Sequence, residues 1–218
     1  MNTKNTKTER ITFSAMMIAI AVSLAALCAA MPFLNLPFGG GFTIASMLPI
    51  IVVAYRYGTR WGLLTGLIYS LAQMMLGFNT VSAFFLPGDS QMVWYRAIIV
   101  LLLDYVLAYT VLGFGGIFRK KLGKAGALCL GSIVALSLRY IAHIISGAVF
   151  FGSWAEWFFT QDGFPALGTA ILDTFSGFGL SLIYSIIYNG TYMIPEIIIT
   201  ALAAMAISRI PAIKRVEG

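Results

Sequence analysis

Hydrophobic positions fall into six runs, about 11–31, 43–57, 61–77, 97–118, 125–150 and 178–208, separated by polar or glycine-rich breaks. Most approach the roughly 20 apolar residues that a helix needs to cross a bilayer, so each predicts a transmembrane helix. The second is short and contains Pro49, which predicts a tilted, kinked or incomplete span. Basic residues mark the breaks unevenly. Lys4, Lys7 and Arg10 precede the first run, and Arg56 and Arg60 lie between the second and third. Arg119, Lys120, Lys121 and Lys124 join the fourth to the fifth, and Arg209, Lys214 and Arg215 follow the sixth. Twelve of the fourteen lysines and arginines thus share one side, the cytoplasm by the positive-inside rule, and both termini belong there. The expected fold is an all-α integral membrane protein with six transmembrane helices. A basic segment 1–10, one membrane domain 11–208 and a basic tail 209–218 make up the chain.

Composition agrees with that pattern and narrows the partners. Hydrophobic residues make up 60% of the 218 positions and charged residues 10%, with a mean hydropathy of +0.90. Such a chain has a lipid bilayer for its surroundings. The net charge of +6 is accounted for by the one-sided loops, which leaves nothing for a nucleic-acid partner to explain. The run 11–31 is longer than the core of a secretory leader and has no clear small-residue cleavage site, so it reads as a retained first span. Cys28 and Cys129 both sit in apolar runs and suggest neither a disulfide framework nor a metal site. No cofactor is implied.

A few polar residues stand where lipid should exclude them, and each is by default a functional hypothesis. Asp104 lies in VLLLDYVLAY; Arg139 and the chain's one histidine, His143, lie in LRYIAHIISG. Asp104 is fifteen residues before Arg119, and Arg139 fifteen after Lys124. In α-helices both would stand roughly 22 Å above the basic loop, with His143 one turn further out. The pattern therefore predicts that Arg139 pairs with or orients Asp104, in a salt bridge that either joins two helices or serves a site. Tyr105 and Tyr140 adjoin these charges, and SLIYSIIYNG adds Tyr184, Tyr188 and Asn189 at a similar depth. A carboxylate, rings and an amide at one level suit a small, flat, cationic molecule. Tyr184 and Asn189, five apart, do not share a helix face, so either the helix is distorted or they reach a ligand from different sides. Trp94, Tyr95, Trp154 and Trp157 fall in the two long outer connections, as an interfacial belt or as the wall of an outward-opening site.

Catalysis is the weaker reading of the same groups. Asp104 and His143 could act as acid and base in an intramembrane enzyme, but there is no G-x-S-x-G, no H-E-x-x-H and no phosphate-binding G-x-x-x-x-G-K-[ST]. Any active transport must then draw its energy from a partner or an ion gradient. Ala15, Ala19 and Ser23 recur every four residues on the first run, a smooth stripe fit for internal packing or for docking a partner helix.

These segments resemble, in order, the thiamine-specific substrate-binding (S) components of energy-coupling factor (ECF) transporters. LLLDYVLAYTVLGFGGIF is similar to the family's acidic-Tyr signature with its downstream LG-x-x-G-x-F, here Asp104, Tyr105, Leu112, Gly113, Gly116 and Phe118. LRYIAHIISGAVFF and YSIIYNG resemble its histidine helix and its Tyr-x-x-x-x-Asn-Gly, and GGGFTIASMLPI resembles its second-helix segment. The resemblance implies a binding subunit, not an enzyme, in a prokaryotic cell membrane. Its ligand would be thiamine, held by Asp104, Tyr105, His143, Phe151, Tyr184 and Asn189. Arg139, Tyr140, Trp154, Trp157 and Tyr188 would support the pocket. Ala15, Ala19 and Ser23 would dock on a transmembrane coupling subunit, itself joined to two ATPase subunits. An S component for another vitamin or a thiamine precursor is the alternative.

Overall fold

The computed structural model describes residues 7–34, 41–163, 165–211 and 213. The regular elements among them are helical: α1 (Lys7–Ala29), α2 (Leu48–Tyr57), α3 (Thr59–Leu76), α4 (Phe78–Ala83), α5 (Trp94–Gly116), α6 (Lys124–Phe150), α7 (Ala155–Phe159), α8 (Pro165–Thr174) and α9 (Gly177–Ile207). Four of them, α1, α5, α6 and α9, are long and apolar enough to cross a membrane. The chain is a multi-pass helical membrane protein. The six apolar runs fall on α1, α2, α3, α5, α6 and α9; α4, α7 and α8 are short helices within the two long connections. Of the charges used to orient the chain, Lys4, Lys214 and Arg215 lie outside the described residues, as does Phe38–Gly40 of the glycine-rich stretch.

Pro49 does not kink a span. It stands in the first turn of α2, where its missing N–H is one that the helix leaves unpaired anyway. α2 is consequently a helix of ten residues, about 15 Å or half a bilayer core. It is also the most enclosed element: Ile50, Ile51, Val53 and Ala54 have no exposed surface, and α1, α3, α5, α6 and α9 all touch it. The segment 41–47 that leads into it is buried at Ala45, Ser46 and Met47, while Gly41 and Ile44 are exposed. Ile44 N–H donates to Cys28 Sγ at 3.3 Å, and Ala45 takes a left-handed φ of 55°.

α5 is not one regular helix. It is α-helical at Trp94–Leu101, π-helical at Leu102–Leu107 and tight 3₁₀ at Val111–Gly116. Glycines explain the tight end. A Cβ on Gly113 would lie 2.2 Å from the Leu63 backbone nitrogen, and one on Gly131 would lie 2.1 Å from the Gly115 carbonyl oxygen. Backbones of α3, α5 and α6 therefore touch directly, the close packing that holds helices together when lipid supplies no hydrophobic drive. Because α2 fills only the half of the bundle nearest Arg56 and Arg119, the opposite half keeps a cavity among α5, α6 and α9.

Candidate functional site

The cavity measures about 670 Å³. α5 contributes Asp104, Tyr105 and Tyr109; α6 contributes Arg139, His143, Gly147 and Phe151 just past its end. Tyr184, Tyr188, Asn189 and Tyr192 come from α9, while Trp154, Trp157 and Phe158 close one side. The π-helical turn around Asp104 widens the helix where two consecutive side chains, Asp104 and Tyr105, both face the cavity. Insertions of this kind recur at functional sites.

Asp104 is held by α6. Its Oδ1 lies 2.9 Å from His143 Nδ1, and its Oδ2 accepts from the Ser146 hydroxyl at 2.7 Å. A carboxylate can only accept, so the His143 proton belongs on Nδ1, and Nε2 is left buried with no hydrogen-bond partner. Arg139 does not pair with Asp104, contrary to the expectation from depth. Its Nη1 donates to Met47 Sδ at 2.9 Å, its Nη2 to the Tyr109 hydroxyl at 3.3 Å, and its guanidinium stands 4.6 Å from the Tyr109 ring centre. The physical reason is helix geometry: α5 is π-helical at Leu102–Leu107 and 3₁₀ at Val111–Gly116, where the rise is about 2.0 Å instead of 1.5 Å, so a residue count with constant rise does not fix the level of Asp104.

On α9 the aromatic stripe Tyr184, Tyr188, Tyr192 recurs every four residues, and Tyr184 stacks on Tyr188 at 5.6 Å. Asn189 lies on the neighbouring stripe of the same helix, so it and Tyr184 reach the cavity from different sides. Its Nδ2 donates to the Ser185 carbonyl at 2.8 Å and to the His143 carbonyl at 3.3 Å, and its Oδ1 accepts from the Tyr192 hydroxyl. Gly147 permits this: a Cβ there would meet Ser185 Oγ at 2.2 Å. Phe151 leans on Phe84 at 6.1 Å, and Trp154 meets Trp157 edge to face at 5.7 Å. The two tryptophans of that connection face the cavity, whereas Trp94 and Tyr95 are exposed outside it.

Tyr140 is not in the cavity. Its hydroxyl turns the other way and donates to the Ile186 carbonyl at 2.6 Å, so it joins α6 to α9 from outside. Ala15, Ala19 and Ser23 are exposed, while Ser14, Ala21, Ala25 and Cys28 make the buried face of α1. The sequence reading missed Tyr109, Ser146, Phe158, Ser185 and Tyr192. Spacing could have found three of them: Tyr109 lies four after Tyr105, Tyr192 four after Tyr188 and Ser146 three after His143. It also missed Glu196, an acidic residue inside an apolar run and 2% exposed.

Fold and site together define a membrane-embedded protein built around a cavity with an aromatic wall and a half-buried carboxylate paired with a buried imidazole. The chain belongs to the family described as thiamine transporter protein, whose model matches residues 14–157. This is a transporter family and not an enzyme family. The chain is similar to the thiamine transporter ThiT of Bacillus subtilis (strain 168), at 34% identity over 180 residues that cover 78% of this chain and 76% of the relative. It also shares its fold with a solved structure of ThiT from Listeria monocytogenes, with a TM-score of 0.62 and 22% identity over 94% of this chain and 96% of the other.

Proposed function

We propose that this chain is the thiamine-binding S component of an ECF transporter in a prokaryotic cell membrane. It captures thiamine from outside and releases it inward in complex with a transmembrane coupling subunit and two ATPase subunits. Six spans, α1, α2, α3, α5, α6 and α9, with both termini in the cytoplasm, go with this reading; the cavity then opens away from the basic loops. One observation carries it: Asp104, paired with His143 and Ser146, faces a ring-lined cavity of about 670 Å³ inside an apolar bundle. A carboxylate there offsets the positive charge of a thiazolium, and Tyr105, Phe151, Tyr184 and the tryptophans offer faces to two aromatic rings. Asn189 and Tyr188 supply polar contacts, and Arg139 supports the floor through Met47 and Tyr109. Ala15, Ala19 and Ser23 present a small-residue stripe to the coupling subunit.

Isothermal titration of thiamine into purified, vitamin-depleted protein tests the reading, with His143→Ala alongside. Tight binding by the wild type and its loss in the variant are the expected results. Absence of binding in the wild type sinks thiamine as the ligand, and mass spectrometry of whatever copurifies then decides between another vitamin and a precursor.

A further inference from the structure

A cavity for a cation contains an arginine, which needs explaining. With Asp104 ionised, Arg139 charged and His143 neutral, the formal charges facing the cavity sum to zero. A cation then gains little over a neutral ring of the same shape. Glu196 changes that sum from behind the cavity wall. It follows Pro195 on α9, is 2% exposed, and has donors at both carboxylate oxygens. Thr43 N–H donates to Oε2 at 2.5 Å, the Thr43 hydroxyl lies 2.9 Å from each oxygen, and the Thr200 hydroxyl is 3.4 Å from Oε1. These donors favour the ionised form that such a change of sum requires, and burial opposes it. Thr43 is itself held by Ser46 at 2.6 Å, in the segment leading to α2, so the group is fixed in place.

Arg139 forms no ion pair with a carboxylate among the described residues, and its Nε is buried without a partner. Its contacts are a thioether, a phenol hydroxyl and a ring face, none of which cancels a charge. Both are nonetheless anchored to one short segment, 43–47: Arg139 bonds Met47, and Glu196 bonds Thr43, which is held by the neighbouring Ser46. Asp89, Arg96, Glu156, Asp162 and Asp173, the other charges toward the open end, are exposed to solvent and screened.

We infer that Glu196 is a specificity-determining residue: its carboxylate offsets Arg139, so that Asp104 leaves the site with one net negative charge matched to a monocationic ligand. The inference rests on the thiamine reading above, and it gives Glu196 this role without any contact with the ligand. A glutamine at position 196 keeps the shape and the acceptor oxygen but removes the charge.

The test compares two ligands, thiamine and an isosteric analogue whose thiazolium is replaced by a neutral aromatic ring. Affinities for both are measured by titration on wild type, Glu196→Gln, Arg139→Met and the double variant. The preference for the cation should fall about tenfold or more in Glu196→Gln, rise in Arg139→Met, and return near the wild-type value in the double variant, whose net charge is again minus one. A merely structural Glu196 would weaken both ligands equally, and an unchanged preference in Glu196→Gln overturns the inference. Should that variant fail to fold, an unchanged or lower preference in Arg139→Met overturns it just as well. If wild type does not bind thiamine at all, the functional reading fails and takes the inference with it; binding with an unaltered preference defeats the inference alone.

Discussion

His143 Nδ1 and Asp104 Oδ1 lie 2.9 Å apart across the contact between α6 and α5. Each residue constrains the other: the carboxylate fixes the imidazole tautomer, and the imidazole keeps the carboxylate on the cavity wall. Asp104→Asn removes the negative charge and turns one of the two acceptor oxygens into a donor. Thiamine affinity should drop about 100-fold or more, from the lost charge and the weakened bond to His143 together. Calorimetry on Asp104→Asn, His143→Ala and the double variant measures their coupling. Strict additivity would show that the two side chains act separately.

Ser146 gives a finer test of the same arrangement. Its hydroxyl donates to Asp104 Oδ2 at 2.7 Å, and the residue is buried. Ser146→Ala removes one donor without adding bulk or changing charge. A net loss near 1 kcal/mol, about fivefold in the dissociation constant, is expected. Ser146→Thr keeps a hydroxyl at the same position and should recover part of the affinity; an equal loss in both variants points to packing instead.

What sequence pattern could reach differed from one feature to the next, for physical reasons. Long apolar runs set the positions of α1, α5, α6 and α9, because hydropathy reports whether a segment tolerates lipid. Asp104 and His143 stood out because ionisable groups are costly there. Their pairing with each other did not, since a residue count assumes a constant rise and α5 changes from π to 3₁₀ within one span. Tyr140 shows a related limit: depth says nothing about direction, and its ring points to the far side of α6. Glu196 was hidden by its neighbours in MIPEIII, a run apolar enough to absorb one acid in any averaged profile.

Backbone contact between α5 and α6 predicts a sharp difference between two glycines of neighbouring sequence. A Cβ on Gly131 would lie 2.1 Å from the Gly115 carbonyl oxygen, which cannot move without displacing its helix. A Cβ on Gly123 meets nothing within 4 Å. Gly131→Ala should cost at least the 1–3 kcal/mol typical of overpacking, about 2–12 °C in the melting temperature. Gly123→Ala should melt near the wild type. Melting both in the same detergent, by the fluorescence of a thiol-reactive or scattering reporter, checks the contrast; similar curves for the pair would disprove the close crossing.

If α1 docks on a coupling subunit as proposed, substitutions at Ala15 and Ala19 should separate capture from uptake. Both are exposed on α1, and neither lines the cavity, whereas the opposite face of the same helix carries the buried Ser14, Ala21 and Ala25. Internal packing therefore does not explain the small-residue stripe, whereas the proposed docking of a coupling subunit would. Leucines at both positions leave the cavity untouched but hold a partner helix several ångströms away. Purified Ala15→Leu/Ala19→Leu protein should bind thiamine within about twofold of wild type, as expected of changes on a lipid-facing surface. Cells that depend on the same variant should fail to accumulate labelled vitamin. Normal uptake would remove the docking role from this face of α1, and lost binding would mean that the stripe supports the bundle after all.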